Sequence, residues 1–329
     1  MKKLLFFLMF PLLCFGQYTD IPDENFEKAL IALLYDNVID GKVLTSKIDK
    51  IKSLQVNEKN ISDLTGIEAF SALTELNCSG NQLTNLDLSN NTALYDLNCY
   101  YNQLTALDVS KNAALNNLNC GQNQLTSLDV SNNTALTSLA CFDNQLTNLD
   151  VSNNTALSSL GFMGNQLTSL DVSQNIALGY LYCSDNQLTS LDVSQNTVLN
   201  NLICGQNQLI SLDVSNNTAL GNLYCSDNNQ LKSLDVSNNT ALISLVCKSN
   251  QLTILDVSNN TTLRELYCQN NQLTNLDLSH NNALNNLYCN NNQLTSLDLS
   301  HNNALYDLKC NDNKFDCKAL KAKYDLQNE

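Results

Sequence analysis

The chain has 329 residues, 43% of them hydrophobic and only 15% charged, with a formal net charge of −15, thirteen cysteines, two prolines and no tryptophan. So low a charge beside so large an apolar fraction excludes a disordered acidic tail and leaves a folded chain with a sizeable core. Seventeen Lys and Arg against thirty-two Asp and Glu weigh against nucleic acid and anionic membrane as partners, since both recruit cations.

Lys2 and Lys3 precede an apolar run from Leu4 to Leu13, and Cys14 and Gly16 stand three places and one place before Gln17. This predicts a signal peptide over residues 1–16 and an exported product, secreted or held at the cell surface or in the periplasm. The run falls short of the roughly 20 apolar residues that cross a bilayer, and no later segment approaches that length, so no membrane span is expected. From Pro22 to Tyr35 an early proline, acids in the first turn and Phe26, Leu30 and Leu33 at helical spacing predict an amphipathic helix, the core of an amino-terminal cap over residues 17–50. Asp36, Asp40 and Gly41 match half of a calcium loop, but Val38 and Lys47 stand where such a loop needs oxygen ligands.

A repeat follows. Cysteines recur in 21-residue steps from Cys78 to Cys310, with Phe162 at one cysteine place and a single 22-residue step between Cys225 and Cys247. One copy, Leu73 to Ala93, reads LTELNCSGNQLTNLDLSNNTA. The same phrase occurs twice inside it, as Leu73, Leu76, Cys78, Asn81 and then Leu83, Leu86, Leu88, Asn91, and it predicts a short strand followed by a turn. Leu76 and Cys78 point inward while Glu75, Asn77 and Ser79 point out. Copies stacked about 4.8 Å apart make a parallel sheet and one continuous leucine core that no single copy could bury alone. Asn81, Asn102, Asn123 and their counterparts, with Asn229 as the counterpart in the copy that carries one extra residue, are expected to turn the chain inward and satisfy the backbone of the turn.

LxxLxCxxNxL at this spacing is the hallmark segment of leucine-rich repeats, and the nested form with LDLSxN or LDVSxN resembles the bacterial 21-residue subclass. The stretch from Ile51 to Leu73, IKSLQVNEKNISDLTGIEAFSAL, departs from that form and is similar to the longer repeats of internalin-like bacterial surface proteins. The resemblance implies a curved solenoid, a leucine-rich-repeat horseshoe or arc with a parallel β-sheet, short strands and turns and a helical amino-terminal cap, that binds a macromolecule. About thirteen repeats are expected over residues 51–313 and a carboxy-terminal cap over 314–329.

Eleven cysteines fall in one inward column. Parallel strands in register hold neighbouring Cβ atoms about 4.8 Å apart, beyond the roughly 3.5–4.5 Å of a relaxed bridge, so free thiols acting as small hydrophobes are expected. Cys317 lies outside the column, and a cap disulfide between Cys310 and Cys317 stands open beside two free thiols. Paired CxxC spacing is missing, which weighs against zinc.

A second column is acidic, Asp87, Asp108, Asp129 and onward to Asp298. Carboxylates about 5 Å apart would repel by roughly 0.8 kcal/mol per pair even in water. Hydrogen bonds from the same turns would offset this without a cofactor; calcium bridging adjacent aspartates is the alternative. His280 and His301 occupy a place that Asn90, Lys111 and Gln174 fill elsewhere. With no nucleophile constellation or phosphate loop, a non-catalytic protein is expected. The NNT triplets such as Asn90 to Thr92 match a glycan acceptor but read as turn residues.

Comparison between copies is more informative. The segment near TSLDVSNNTA barely changes, whereas outward places beside the cysteine change freely. Just before the cysteine, six consecutive copies carry Tyr182, Ile203, Tyr224, Val246, Tyr267 and Tyr288, with Tyr180 adjoining. A second outward column places Tyr100, Phe142 and Met163 in early copies. Tyrosine stabilises strands in its own right, yet its apolar body and polar tip also suit contact with a protein or stacking on sugar rings. The expectation is an exported binding module whose exposed strand face recognises a protein at a bacterial or host surface, with glycan binding or a structural envelope role as alternatives.

Overall fold

The computed structural model describes residues 17–326, and the predicted leader over 1–16 lies outside them. Strand β1 (Tyr18–Asp20) pairs antiparallel with β2 (Lys42–Leu44); α1 (Glu24–Ala32) runs between them and α2 (Thr45–Ile48) follows. Helix α1 is shorter than the predicted span. Asp23 caps it, its Oδ1 accepting the N–H groups of Asn25 and Phe26 at 2.9 Å, and the chain leaves the helix by way of Leu34 at φ 65°. Phe26 and Leu30 are fully buried, and the Phe26 ring stacks on Phe70 at 6.3 Å.

The other oxygen of Asp23 accepts the N–H and hydroxyl of Ser62, both at 2.8 Å, and the N–H of Asp63. One carboxylate therefore starts the cap helix and ties it to the first coil. Burial alone would raise its pKa, but these hydrogen bonds outweigh burial and hold it below the usual aspartate value. Glu27, itself buried, gathers the loop before β2 by accepting the N–H groups of Asp40, Gly41 and Lys42. The backbone beside the calcium-like Asp36, Asp40 and Gly41 is thus held by a carboxylate from the helix.

From β3 (Ser53–Gln55) onward the chain is one solenoid. Twelve further strands of three residues each, from β4 (Glu75–Asn77) to β15 (Asp307–Lys309), stack in chain order into a parallel sheet that has thirteen strands among the described residues. The register keeps like opposite like. Leu76 faces Leu97, which faces Leu118, and all three are buried. Because side chains alternate along a strand, this register puts every central leucine in the core and both its neighbours on the outer face.

Only the first half of each copy forms a strand, although the sequence phrase occurs twice. In the second half Asp87 Oδ1 takes the N–H of Ser89 at 2.9 Å, and the same bond recurs at Asp108 and Asp129. A side chain that captures the backbone donor two residues on substitutes a local turn for a ladder. Leu86 and Leu88 still fill the core there.

Two asparagine ladders brace the coils. In the first, Asn102 Nδ2 donates to the carbonyls of Cys78 and Cys99 at 3.1 Å, and its Oδ1 accepts the Leu83 N–H at 3.0 Å, so one amide joins two coils. In the copy with the extra residue the ladder member is Asn228 and not the predicted Asn229. Asn228 is buried and donates to the carbonyls of Cys204 and Cys225, while Asn229 is exposed at φ 59°. The insertion therefore falls after the ladder residue. It leaves Gln230 N–H on the carbonyl of Asn228, where Gln187 and Gln208 reach back to Leu167 and Leu188, and it leaves Asn250 Oδ1 buried without a protein partner. The second ladder runs from Asn91 to Asn302; Asn154 Nδ2, for example, donates to the carbonyls of Val130 and Asn133 at 3.0 and 2.8 Å.

Cys78 to Cys289 are ten buried free thiols. Burial pushes them up, that of Cys99 to about 12, which keeps them protonated and unreactive at neutral pH. Cys310, counted by the column among the free thiols, is bonded to Cys317, because the chain after the last coil turns back across its open end. That disulfide precedes α3 (Cys317–Lys323), whose cap Asp316 accepts from Lys318 and Ala319. Tyr324 beyond the helix donates to Asp298 at 2.8 Å.

Candidate binding face

The strands project two outward residues each, and the turn after the cysteine adds a third. The middle column is continuous: Tyr182 pairs with Ile203, Ile203 with Tyr224, Tyr224 with Val246, Val246 with Tyr267 and Tyr267 with Tyr288. These six side chains are half-buried rather than fully exposed, since each leans on its neighbours; Tyr180, in the adjoining column, is 44% exposed. Tyr267 meets Tyr288 edge-on at 4.7 Å, and Asn286 donates to the Tyr267 hydroxyl. Tyr288 in turn donates to Asp307 at 2.6 Å and carries the Lys309 ammonium 4.1 Å above its ring.

At the amino-terminal end of the stripe the face drops to small side chains, Ser138, Ala140, Ser159 and Gly161. A Cβ on Gly161 would lie 3.9 Å from Tyr182, whose side chain closes over it.

Tyr100, Phe142 and Met163 lie in the third column, all half-buried. Tyr100 and Phe142 belong to coils two apart but approach to 5.6 Å between ring centroids. Gly121 between them permits this, because any Cβ there would meet the Phe142 ring at 2.8 Å. The neighbouring Tyr101, unremarked by the repeat pattern, is 61% exposed and 6.0 Å from Tyr100.

A further column was not anticipated. The residue before each first-ladder asparagine sits in the left-handed region, from Gly80 at φ 65° through Tyr101, Asp143 and Asp185 to Asp312 at 56°. Gly, Asp and Asn dominate these places, and that bias was the available signal, since they tolerate the conformation best.

The acidic column lies on the other side of each coil. There the backbone N–H and then the hydroxyl of the serine two residues on hold Asp87, Asp150 and Asp213 below the usual aspartate value, and these bonds outweigh the repulsion between neighbouring aspartates. At Asp298 the Tyr324 hydroxyl is the largest cause. Among the described residues no group of three or more His, Cys, Asp or Glu is arranged to hold a metal ion. No helix among them is long and apolar enough to cross a membrane.

Two short segments, 139–168 and 245–267, match the model of the LVIVD repeat. Over 71 residues, 22% of this chain, the sequence is 41% identical to Internalin J of Listeria monocytogenes, and the match spans about 8% of that longer protein. Among solved structures, the functional domain of InlJ from Listeria monocytogenes, described as including a cysteine ladder, is 35% identical, with 88% of this chain and 79% of that one covered at a TM-score of 0.58. The internalin InlF of the same species is 25% identical and superposes more closely, with 94% of both chains covered at a TM-score of 0.85. A leucine-rich-repeat protein of Leptospira interrogans is 26% identical, with 80% of this chain and 72% of that one covered at a TM-score of 0.74. The repeat register, the column of buried cysteines and these likenesses agree: the chain belongs to the internalin-like family of bacterial leucine-rich-repeat proteins.

Proposed function

We propose that this protein is an exported, non-catalytic module that recognises a protein ligand through its strand face. The observation that carries the proposal is the unbroken column of six adjacent strands bearing Tyr182, Ile203, Tyr224, Val246, Tyr267 and Tyr288. The acidic turns and both asparagine ladders repeat almost unchanged because backbone bonding constrains them, whereas the strand face varies from coil to coil over a rigid support. Large, stiff, half-buried aromatics on such a support contribute contact area at small entropic cost. Binding of this kind needs no cofactor. Export rests on the lysine-led apolar leader of the sequence and on membership in the internalin-like family.

A photo-reactive phenylalanine analogue tests this when placed at Ile203, on the strand face, or at Ser211, on the acidic side. Incubated with surface-protein extracts, the first is expected to cross-link a discrete protein band and the second to give none. Cross-linking from Ser211 alone would overturn the assignment of the face.

A further inference from the structure

The strand face divides by charge along its length. In the coils from Glu75 to Gln206 the strands and the two turn residues after each buried cysteine place carry Glu75, Asp96, Asp143 and Asp185 and no lysine or arginine. At these places cations enter only later, at Lys248 and Lys309; Lys52 and Arg264 lie one residue before β3 and β13, outside the early coils. Asp227, the next carboxylate in the left-handed column, is already paired with Lys248 at 3.6 Å. The early half therefore offers negative charge with no internal partner of opposite sign on that face.

The early half is also where aromatic rings cluster. Tyr100 has Phe142 at 5.6 Å and Tyr101 at 6.0 Å. Gln122 links rings to carboxylate, since its Oε1 accepts the Tyr100 hydroxyl at 2.7 Å and its Nε2 donates to Asp143 Oδ2 at 3.2 Å. A ring face carries negative quadrupole charge, and a cation within about 6 Å of it is attracted; a carboxylate nearby adds to the same attraction. Tyr288 shows the pairing within this chain, holding the Lys309 ammonium over its ring while its hydroxyl bonds Asp307.

We infer that the early strand face docks an extended cationic peptide segment, with lysine or arginine side chains lying against the Tyr100, Tyr101 and Phe142 rings between Asp96, Asp143 and Asp185. This names the chemistry of the partner and rests on the protein-binding role proposed above. Along the stack the coils of Asp96 and Asp185 are four strand spacings apart, roughly 19 Å, which an extended segment of about six residues spans. Gly121 is the positioning residue, because the ring pair exists only where no Cβ intervenes.

The test uses a fluorescein-labelled octapeptide of serine and glycine with three lysines, its counterpart with three glutamates, and fluorescence anisotropy at physiological salt. The lysine peptide is expected to bind and the glutamate peptide not. Asp96→Asn with Asp143→Asn and Asp185→Asn should weaken binding about tenfold or more, by the sum of three partly exposed ion pairs. Asparagine suits the left-handed places 143 and 185, so the fold is kept. Asp108→Asn with Asp150→Asn and Asp192→Asn changes net charge equally on the other side and should leave affinity within about twofold. Tyr100→Leu with Phe142→Leu should weaken binding about fivefold, through the lost ring faces. Equal loss in the two asparagine triples would mean general attraction to an acidic protein and would overturn the inference, as would absence of binding by the lysine peptide. Either result, with cross-linking from Ile203 intact, would leave the protein-binding role standing.

Discussion

The ring of Tyr267 meets that of Tyr288 edge-on at 4.7 Å across adjacent strands. The pair therefore serves the sheet as well as the surface, since such contacts contribute about 0.5–1.5 kcal/mol beyond burial. Truncating Tyr267 is expected to lower stability by about that amount, so thermal melting of Tyr267→Ser should show a small loss where Tyr224→Ser shows little. Equal melting temperatures for wild type and Tyr267→Ser would remove the structural part of its role.

Asn154 tests the second ladder. Its amide satisfies two buried carbonyls, those of Val130 and Asn133, and it has no solvent access. Asn154→Ala removes one of the two donors on each carbonyl, since Val130 keeps the N–H of Asn133 and Asn133 keeps that of Leu136, at about 0.5–1.5 kcal/mol for each lost bond. Urea unfolding should show a loss of about 1–3 kcal/mol, whereas substitution of the exposed Asn153 should cost under about 0.5 kcal/mol.

Removing one residue from the Asn228–Asn229 pair gives the same chain whichever asparagine is deleted, CSDNQL, the wording already present at Cys183 to Leu188. The deletion should restore the regular bond from the Leu231 N–H to the Asn250 amide oxygen, which the insertion leaves without a partner. A gain of about 1 kcal/mol is expected. A loss of cooperative unfolding would show that the extra residue is required.

Much of this architecture was legible from spacing alone. The step of 21 fixes which leucines share the core, because a parallel solenoid must put equivalent places opposite one another. The 22-residue step from Cys225 to Cys247 located the insertion, yet adjacent identical residues hid which asparagine keeps the ladder; only the bonds of Asn228 to Cys204 and Cys225 decide it. The nested LDLS phrase suggested a second strand, and the Asp–Ser turn overrides it. Contacts that skip a coil, such as Tyr100 with Phe142 over Gly121, depend on a side chain that is missing and leave no periodic trace.

The thiol column makes a chemical prediction. Alkylation of the denatured protein without reductant should label Cys78 to Cys289, and Cys310 and Cys317 only after reduction. Resistance of most column cysteines to labelling before reduction would mean that they are bridged.

The acidic column predicts a pH response. A carboxylate whose native pKa is lowered contributes stability that is present above its unfolded value, about 3.9, and is lost as pH falls through the lowered native value. Asp87 to Asp298 behave this way through their serine bonds. The urea midpoint should hold between pH 7 and 5 and fall below about pH 4. EDTA at pH 7 should leave it unchanged; a drop on chelation would point to calcium between the aspartates.

The most direct measurement takes the protein captured by the Ile203 cross-linker and determines its affinity for wild type, Tyr224→Ser and Asp213→Asn. Loss of one aromatic anchor at an interface costs about 2 kcal/mol, so Tyr224→Ser should bind about thirtyfold more weakly with its circular dichroism unchanged, while Asp213→Asn should match wild type. Unchanged affinity in Tyr224→Ser, or the same loss in both variants, would contradict recognition by the strand face.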